Sequence, residues 1–164
     1  MQASKRALPA AVVTMGLLAG LFYAYACSVI PGLSNASDRS FVDAMQQINK
    51  AIENPVFFLT FLGAPALAVW ALVAERRGGD AEAARWIAAA VVLAVVGWLV
   101  TFAFNIPLND DLEHAGNPAQ IADVGAVLDD FEAPWVAWNI VRTVAFTASF
   151  CALVRAFFLS ARRS

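Results

Sequence analysis

Four stretches of this chain are each long and apolar enough to cross a bilayer, and that leaves few folds open to it. They cover residues 8–30, 56–74, 86–106 and 135–159. A hydrocarbon core about 30 Å thick takes roughly 20 helical residues. A backbone inside it must satisfy its own N–H and C=O groups, which helices do within one segment. The expected fold is therefore all-α, a four-helix transmembrane bundle, with residues 1–164 forming a single integral membrane domain. Composition agrees: only 15% of the 164 residues are charged and 60% are hydrophobic, whereas soluble domains carry about a quarter charged residues.

Basic residues orient the bundle. Lys5, Arg6, Arg76, Arg77, Arg85, Arg155, Arg162 and Arg163 fall at the N-terminus, the middle loop or the C-terminal end, and the two long loops hold only Arg39 and Lys50. The positive-inside rule then places both termini in the cytoplasm of a cell with this protein in its plasma (inner) membrane. The two long loops face outward, and the second is acidic. Lys5-Arg6 ahead of an apolar run, with Ala24-Tyr25-Ala26 before Cys27, faintly resembles a cleaved leader, but the run is long for that and the expectation is an uncleaved first span. Cys27 and Cys151 belong at different depths, so no disulfide is expected between them.

Along the chain, Gly16, Gly20, Ala24 and Ser28 form a four-residue stripe suited to close helix packing. Pro31-Gly32 ends the first span. Ser40 is the expected N-cap of a short amphipathic helix whose apolar face is Phe41, Ala44, Met45, Ile48 and Ile52. Asn49 lies beside that face; it either reaches into the mouth of the bundle or faces solvent, and exposure to solvent is the cheaper explanation. Pro65 predicts a kink in the second span, and Gly78-Gly79 a cytoplasmic turn. In the third span Ala90, Ala94, Gly97, Thr101 and Asn105 share a narrow face. Ile106-Pro107 is expected to break the helix with Asn105 and Asn109 on either side. A second short helix is expected over 121–131, and Pro134 then opens the fourth span. Spans one and three end alike, …Ile30-Pro31 and …Ile106-Pro107, and each is followed by a short helix and a restart at Pro55 or Pro134, which hints at an internal repeat of two hairpins.

The fourth span carries the unusual chemistry. Trp135, Trp138, Asn139, Arg142 and Phe146 recur at three- and four-residue steps and share a helix face. Arg142 lies about 12 Å into the helix from Pro134, where an arginine is unfavourable by about 2.5–3.5 kcal/mol. Either it bonds loop carbonyls or an acid such as Asp110, or it meets an anionic or enolisable ligand. Thr101, Asn105 and Asn109 fall at the same depth. Tyr23 and Tyr25 are belt residues or pocket phenols. The grouping fits a flat aromatic ligand stacked on tryptophan and met by amide and guanidinium donors.

Other chemistries find little support. With one histidine, His114, and two distant cysteines, the chain has no metal- or haem-binding spacing, and the acids near His114 read as an exposed loop. There is no phosphate loop, dinucleotide fingerprint, nucleophile elbow or basic patch for nucleic acid. The expected partners are a hydrophobic aromatic small molecule and membrane lipid, with self-association into a homo-oligomer left open.

Several motifs together, Gly20-Leu-Phe-Tyr-Ala-Tyr25, Pro31-Gly32-Leu33, Met45-Gln-Gln-Ile-Asn49, Asn105-Ile-Pro-Leu-Asn109 and Trp135-x-x-Trp138-Asn139-x-x-Arg142-Thr143, resemble the anthrone oxygenase-like family of small four-span membrane proteins. The resemblance implies oxidation of an anthrone to an anthraquinone by molecular oxygen without a bound cofactor. It carries Asn105, Asn109, Trp135, Trp138, Asn139 and Arg142 over as site residues. Many relatives have histidine directly after the asparagine of the last motif, where this chain has Ile140. In such chemistry Arg142, Asn105 and Asn139 would stabilise an oxyanion while Trp138 holds the ring. His114, Asp110 and Asp130 are the open choices for a base. The alternative is a non-catalytic membrane protein that binds a hydrophobic or quinone-like ligand or assists a partner complex.

Overall fold

The structure, a computed structural model, describes residues 4–77 and 80–162, with side chains from residue 7 onward. Gly78-Gly79, the side chains of Lys5 and Arg6, and Arg163 lie outside the described residues. The described chain is helical: α1 Ser4–Ala24, a π-helical turn Tyr25–Val29, α2 Ile30–Leu33, α3 Asp38–Ile52, α4 Pro55–Arg76, α5 Ala81–Val100, a second π-helical turn Thr101–Asn105, α6 Ile106–His114 and α7 Val124–Ala161. Four continuous helical runs, Ala7–Leu33, Pro55–Arg76, Ala81–His114 and Val124–Ala161, are long and apolar enough to cross a membrane. The bundle is closed in the order α1, α4, α5, α7 and back to α1.

Local chemistry accounts for the helix starts. Asn54 accepts from the N–H groups of Val56 and Phe57, both at 3.0 Å, and Pro55 occupies the first turn where no N–H is needed. Asp80 accepts from Glu82 N–H at 2.7 Å to start α5. The cap of α3 is Ser37, not Ser40: the Ser40 N–H donates to Ser37 Oγ, so Ser40 is the third helical residue. Both serines fit the local pattern, and the helix takes the earlier one because Asp38 then sits in its first turn.

Proline interrupts the helices less than expected. Pro134 does not open the fourth span, and the short helix over 121–131 is not separate. Pro134 and residues 124–131 lie in one 38-residue helix, α7, capped by Asp123. At 1.5 Å per residue α7 is about 57 Å long, well beyond an apolar core of about 30 Å. Its first turns project past the bundle. Pro134 leaves the Asp130 carbonyl without its helical N–H, and Asp130 is exposed, where water can take that role.

Ile106-Pro107 does not break the third span either. The turn ahead of it widens, with Ile106 N–H donating to Thr101 O, five residues back. This gives room to a proline ring that would otherwise strike the carbonyl four residues earlier. The first span does the same before Pro31, with Ile30 N–H donating to Tyr25 O. The repeat hinted at in the sequence thus holds at the span ends but not beyond them, since Pro55 starts α4 whereas Pro134 lies inside α7.

Pro65 is answered from a neighbouring helix. It leaves the Phe61 carbonyl without an N–H partner, and Trp98 Nε1–H of α5 donates to that carbonyl at 3.2 Å. Trp98→Phe is expected to lower stability by about 1–3 kcal/mol, the penalty of an orphaned carbonyl in an apolar setting. Pro65→Ala should remove most of that penalty by restoring an N–H. Equilibrium unfolding of the single and double variants in detergent checks the non-additivity.

The core is dominated by alanine and aromatic rings. Ala64, Ala68, Ala71, Ala83, Ala90, Ala94 and Ala156 are buried, as are Phe22, Phe61 and Phe146. The face Ala90, Ala94, Gly97, Thr101, Asn105 is buried throughout. The stripe of the first span is not. Gly16 meets the Phe150 ring, but Gly20 has open space around it and Ser28 is exposed. A strict four-residue repeat drifts about 40° per step at 100° per residue, so its two ends face different ways.

A second core sits at the end of the bundle bearing α3 and α6. There Ile30, Phe41, Val42, Met45, Leu112, Val124, Phe131 and Trp135 pack together. Gln46 of α3 ties this cap down, its Nε2 donating to the Leu112 and Gly116 carbonyls at 2.8 and 3.0 Å. These are orphan carbonyls at the C-terminal end of α6, so the buried amide and the helix end satisfy each other.

Candidate functional site

Beneath this cap lies a partly open cavity of about 500 Å³, within the range of small-molecule sites. Every span contributes. Phe22 and Tyr25 come from the first, Phe57, Phe58, Phe61 and Leu62 from α4, Thr101, Phe102, Ile106 and Asn109 from the third, and Trp135 and Arg142 from α7. Asn49, Lys50, Ile52 and Glu53 from the end of α3, with Asp110 and Glu113 of α6, form the rim. Aromatic rings are the largest group in its wall: Phe22, Tyr25, Phe57, Phe58, Phe61, Phe102 and Trp135. Phe58, Leu62, Phe102 and Ile106 are also exposed on the outside of the bundle, so one wall is shared with the surface that faces lipid.

Arg142 is 6% exposed, and its guanidinium carbon lies 4.2 Å from the Phe22 ring centroid and 5.2 Å from that of Trp135. Cation–π contacts of this kind contribute about 0.5–2 kcal/mol each, more where water is excluded. Nε donates to Asn139 Oδ1 at 3.0 Å, and Asn139 Nδ2 donates in turn to the Phe22 carbonyl at 3.3 Å. Among the described residues no carboxylate lies within 4 Å of Arg142; the ion pairs are Lys50–Glu113 and Arg155–Glu82. Asp110 is not its partner, and neither Asn105 nor Asn109 bonds to it. A buried guanidinium with one side-chain acceptor therefore borders an apolar cavity with its remaining donors available.

The other residues singled out in the sequence divide by position. Trp135 Nε1–H donates to Asn109 Oδ1 at 2.7 Å, fixing two cavity residues against each other. Asn105 is fully buried behind the cavity, its Nδ2 donating to the Trp135 carbonyl at 3.2 Å while its Oδ1 has no partner. Thr101 Oγ1 donates to the Gly97 carbonyl at 2.8 Å at the onset of the π-helical turn. Tyr25 lines the cavity, with its ring 5.8 Å from that of Trp135. Tyr23 is 60% exposed and lies elsewhere. Trp138 also lies outside the cavity lining, stacked on Phe104 with centroids 3.6 Å apart. Trp135 is thus the tryptophan that meets the cavity.

Two positions change meaning. Ile140 is 49% exposed and is not part of the cavity wall, so the position of the relatives' histidine faces away from the cavity in this chain. Asn49, expected in solvent, lines the cavity, and its buried Nδ2 has no hydrogen-bond partner. The amphipathic pattern of α3 places Asn49 beside the apolar face, which was the available signal. Of the three base candidates, Asp110 lines the cavity, whereas His114 and Asp130 do not. Among the described residues no three His, Cys, Asp or Glu side chains gather closely enough to hold a metal ion.

This arrangement can stack a flat apolar molecule against Trp135 and phenylalanine rings and present guanidinium N–H groups to an oxygen at its edge. No curated protein and no solved structure matches the chain. A family model described as Anthrone oxygenase matches residues 53–152, which takes in α4, the third span, Trp135 and Arg142. The chain belongs to the anthrone oxygenase family.

Proposed function

We propose that this protein is an oxygenase that uses no bound cofactor and acts on an apolar aromatic ketone or quinol, an anthrone or a close analogue. The observation that carries the reading is Arg142, a guanidinium without an acidic partner on the wall of an aromatic cavity. An anthrone has an acidic CH₂ opposite its carbonyl. Loss of one proton gives an aromatic oxyanion electron-rich enough to react with molecular oxygen. One oxygen atom becomes the new carbonyl, and the other leaves as water with both hydrogens of the CH₂ group. The protein has then to favour the anion and keep water away from it, which preorganised donors in an apolar cavity do. Arg142 stabilises the oxyanion, Asn139 and Asn105 hold Arg142 and the Trp135 backbone in place, and Trp135 stacks on the ring. Asp110 at the rim is the proton acceptor in this scheme. Membrane-dissolved substrate reaches the cavity through the lipid-facing wall. The basic residues favour a plasma-membrane location with both termini cytoplasmic and the cavity opening on the other side.

A second reading, a carrier of a quinone-like molecule without catalysis, is favoured by one observation. The carboxylates lining the cavity, Glu53, Asp110 and Glu113, all belong to the rim. Oxygen uptake with a simple anthrone by the protein in lipid nanodiscs separates the two. Catalysis gives a rate proportional to protein and above the spontaneous reaction. Quenching of tryptophan fluorescence by anthrone without added uptake leaves the carrier, and neither response removes both.

A further inference from the structure

The cavity has polar groups at two ends, and the second end involves a residue with no assigned role. At the inner end stands Arg142. At the rim, Asn49 lines the cavity with a buried Nδ2 that has no partner. Asn49 is not free to swing into solvent. One turn earlier, Gln46 is bonded to two carbonyls at the end of α6, and the next residue, Lys50, pairs with Glu113 at 2.7 Å. Helix α3 is therefore tied to α6 on both sides of Asn49, and a buried donor held there lacks only an acceptor. Polar groups in that state favour ligands that satisfy them.

The charge of the rim says which acceptor. Glu53, Asp110 and Glu113 face the cavity there, and Lys50, the one cation among the described residues of the rim, is itself paired to Glu113. An anionic group at that end would be repelled, and a neutral carbonyl, phenol or ether oxygen would not.

We propose that Asn49 is a binding residue that selects substrates with a second, neutral oxygen on the ring remote from the oxyanion, so that the preferred ligand is an oxygen-substituted polycycle rather than bare anthrone. This rests on the cavity being the substrate site, and the test reads binding rather than turnover.

Affinities of anthrone, a ring-methoxylated anthrone and the corresponding ring carboxylate are measured without oxygen, in nanodiscs, by quenching of tryptophan fluorescence. The wild-type protein is expected to bind the methoxylated compound roughly tenfold more tightly than anthrone, the scale of one net hydrogen bond, with the carboxylate weakest. Asn49→Leu is expected to bind the first two alike while keeping its affinity for anthrone. Asn49→Ala, which removes the donor and adds no charge to the acidic rim, should lose the preference as well. Equal wild-type affinities for the first two compounds, a preference that survives in Asn49→Leu, or tightest binding of the carboxylate would each overturn the proposal and leave the cavity as a binding site. Failure of all three compounds to bind would overturn the cavity reading with it.

Discussion

Replacing Arg142 with methionine is expected to lower the catalysed rate of anthrone oxidation by about 100- to 1,000-fold, the range seen when one donor to a developing oxyanion is removed. Thermal stability is expected to stay within about 1 kcal/mol of wild type, because two effects oppose each other. The variant loses ring contacts with Phe22 and Trp135 and leaves Asn139 Oδ1 without its Nε donor. It also removes a charge buried without a counter-ion. Arg142→Lys keeps the charge but not the planar fork, so it should recover only part of the rate. Oxygen uptake per folded molecule, together with unfolding in detergent, measures both quantities. A structural arginine would give the reverse: a large fall in stability and an unchanged rate in the molecules that remain folded.

Gly97→Ala is expected to destabilise the bundle by about 1–3 kcal/mol, as overpacking of a core does, and to impair the site from a distance. A methyl group at residue 97 would lie 2.6 Å from Phe146 Cζ and 2.8 Å from both Cε atoms. Phe146 is fully buried and stacked on Phe22, with centroids 5.3 Å apart, and Phe22 is the ring under Arg142. Displacing Phe146 therefore pushes on the floor of the cavity. Phe146→Leu in the same chain should relieve the overlap and restore part of the stability. Gly20→Ala serves as the control: its Cβ meets nothing within 4 Å, and alanine is the better helix former, so stability should hold or rise slightly. Unfolding midpoints and oxygen uptake for the three variants test the coupling.

The contrast between Gly97 and Gly20 shows what the sequence could and could not reveal. Both are glycines in apolar helices on plausible small-residue faces. Only the drift of the repeat around the helix, and the large ring opposite, decides which one is needed. The spans themselves were legible because bilayer thickness sets their length and composition. Arg142 was legible because a charge in an apolar segment stands out against its neighbours. Trp135 and Trp138 are one turn apart on the helix, and the side chain that meets the cavity is decided by Phe104 and Asn109 on another helix, which no single-helix pattern contains. Asn49 was legible only as a choice between solvent and the bundle mouth: periodicity identifies the face of α3 but not the hollow beneath it. Pro134 gave a misleading signal, since proline at a helix start and proline inside a helix with a wet carbonyl behind it read alike.

The π-helical turn before Pro107 has a consequence for changes in chain length. Such a turn holds one residue more than the α-helix around it, so everything beyond it is rotated by about 100° relative to an uninterrupted helix. The pairing of Asn109 with Trp135 and the placement of Asp110 and Glu113 at the cavity depend on that rotation. Loss of one residue between Thr101 and Asn105 would leave the hydropathy of the span almost untouched and still turn its whole continuation to face elsewhere. The third span thus has a reading frame as well as a composition, and the frame determines which side chains reach the cavity.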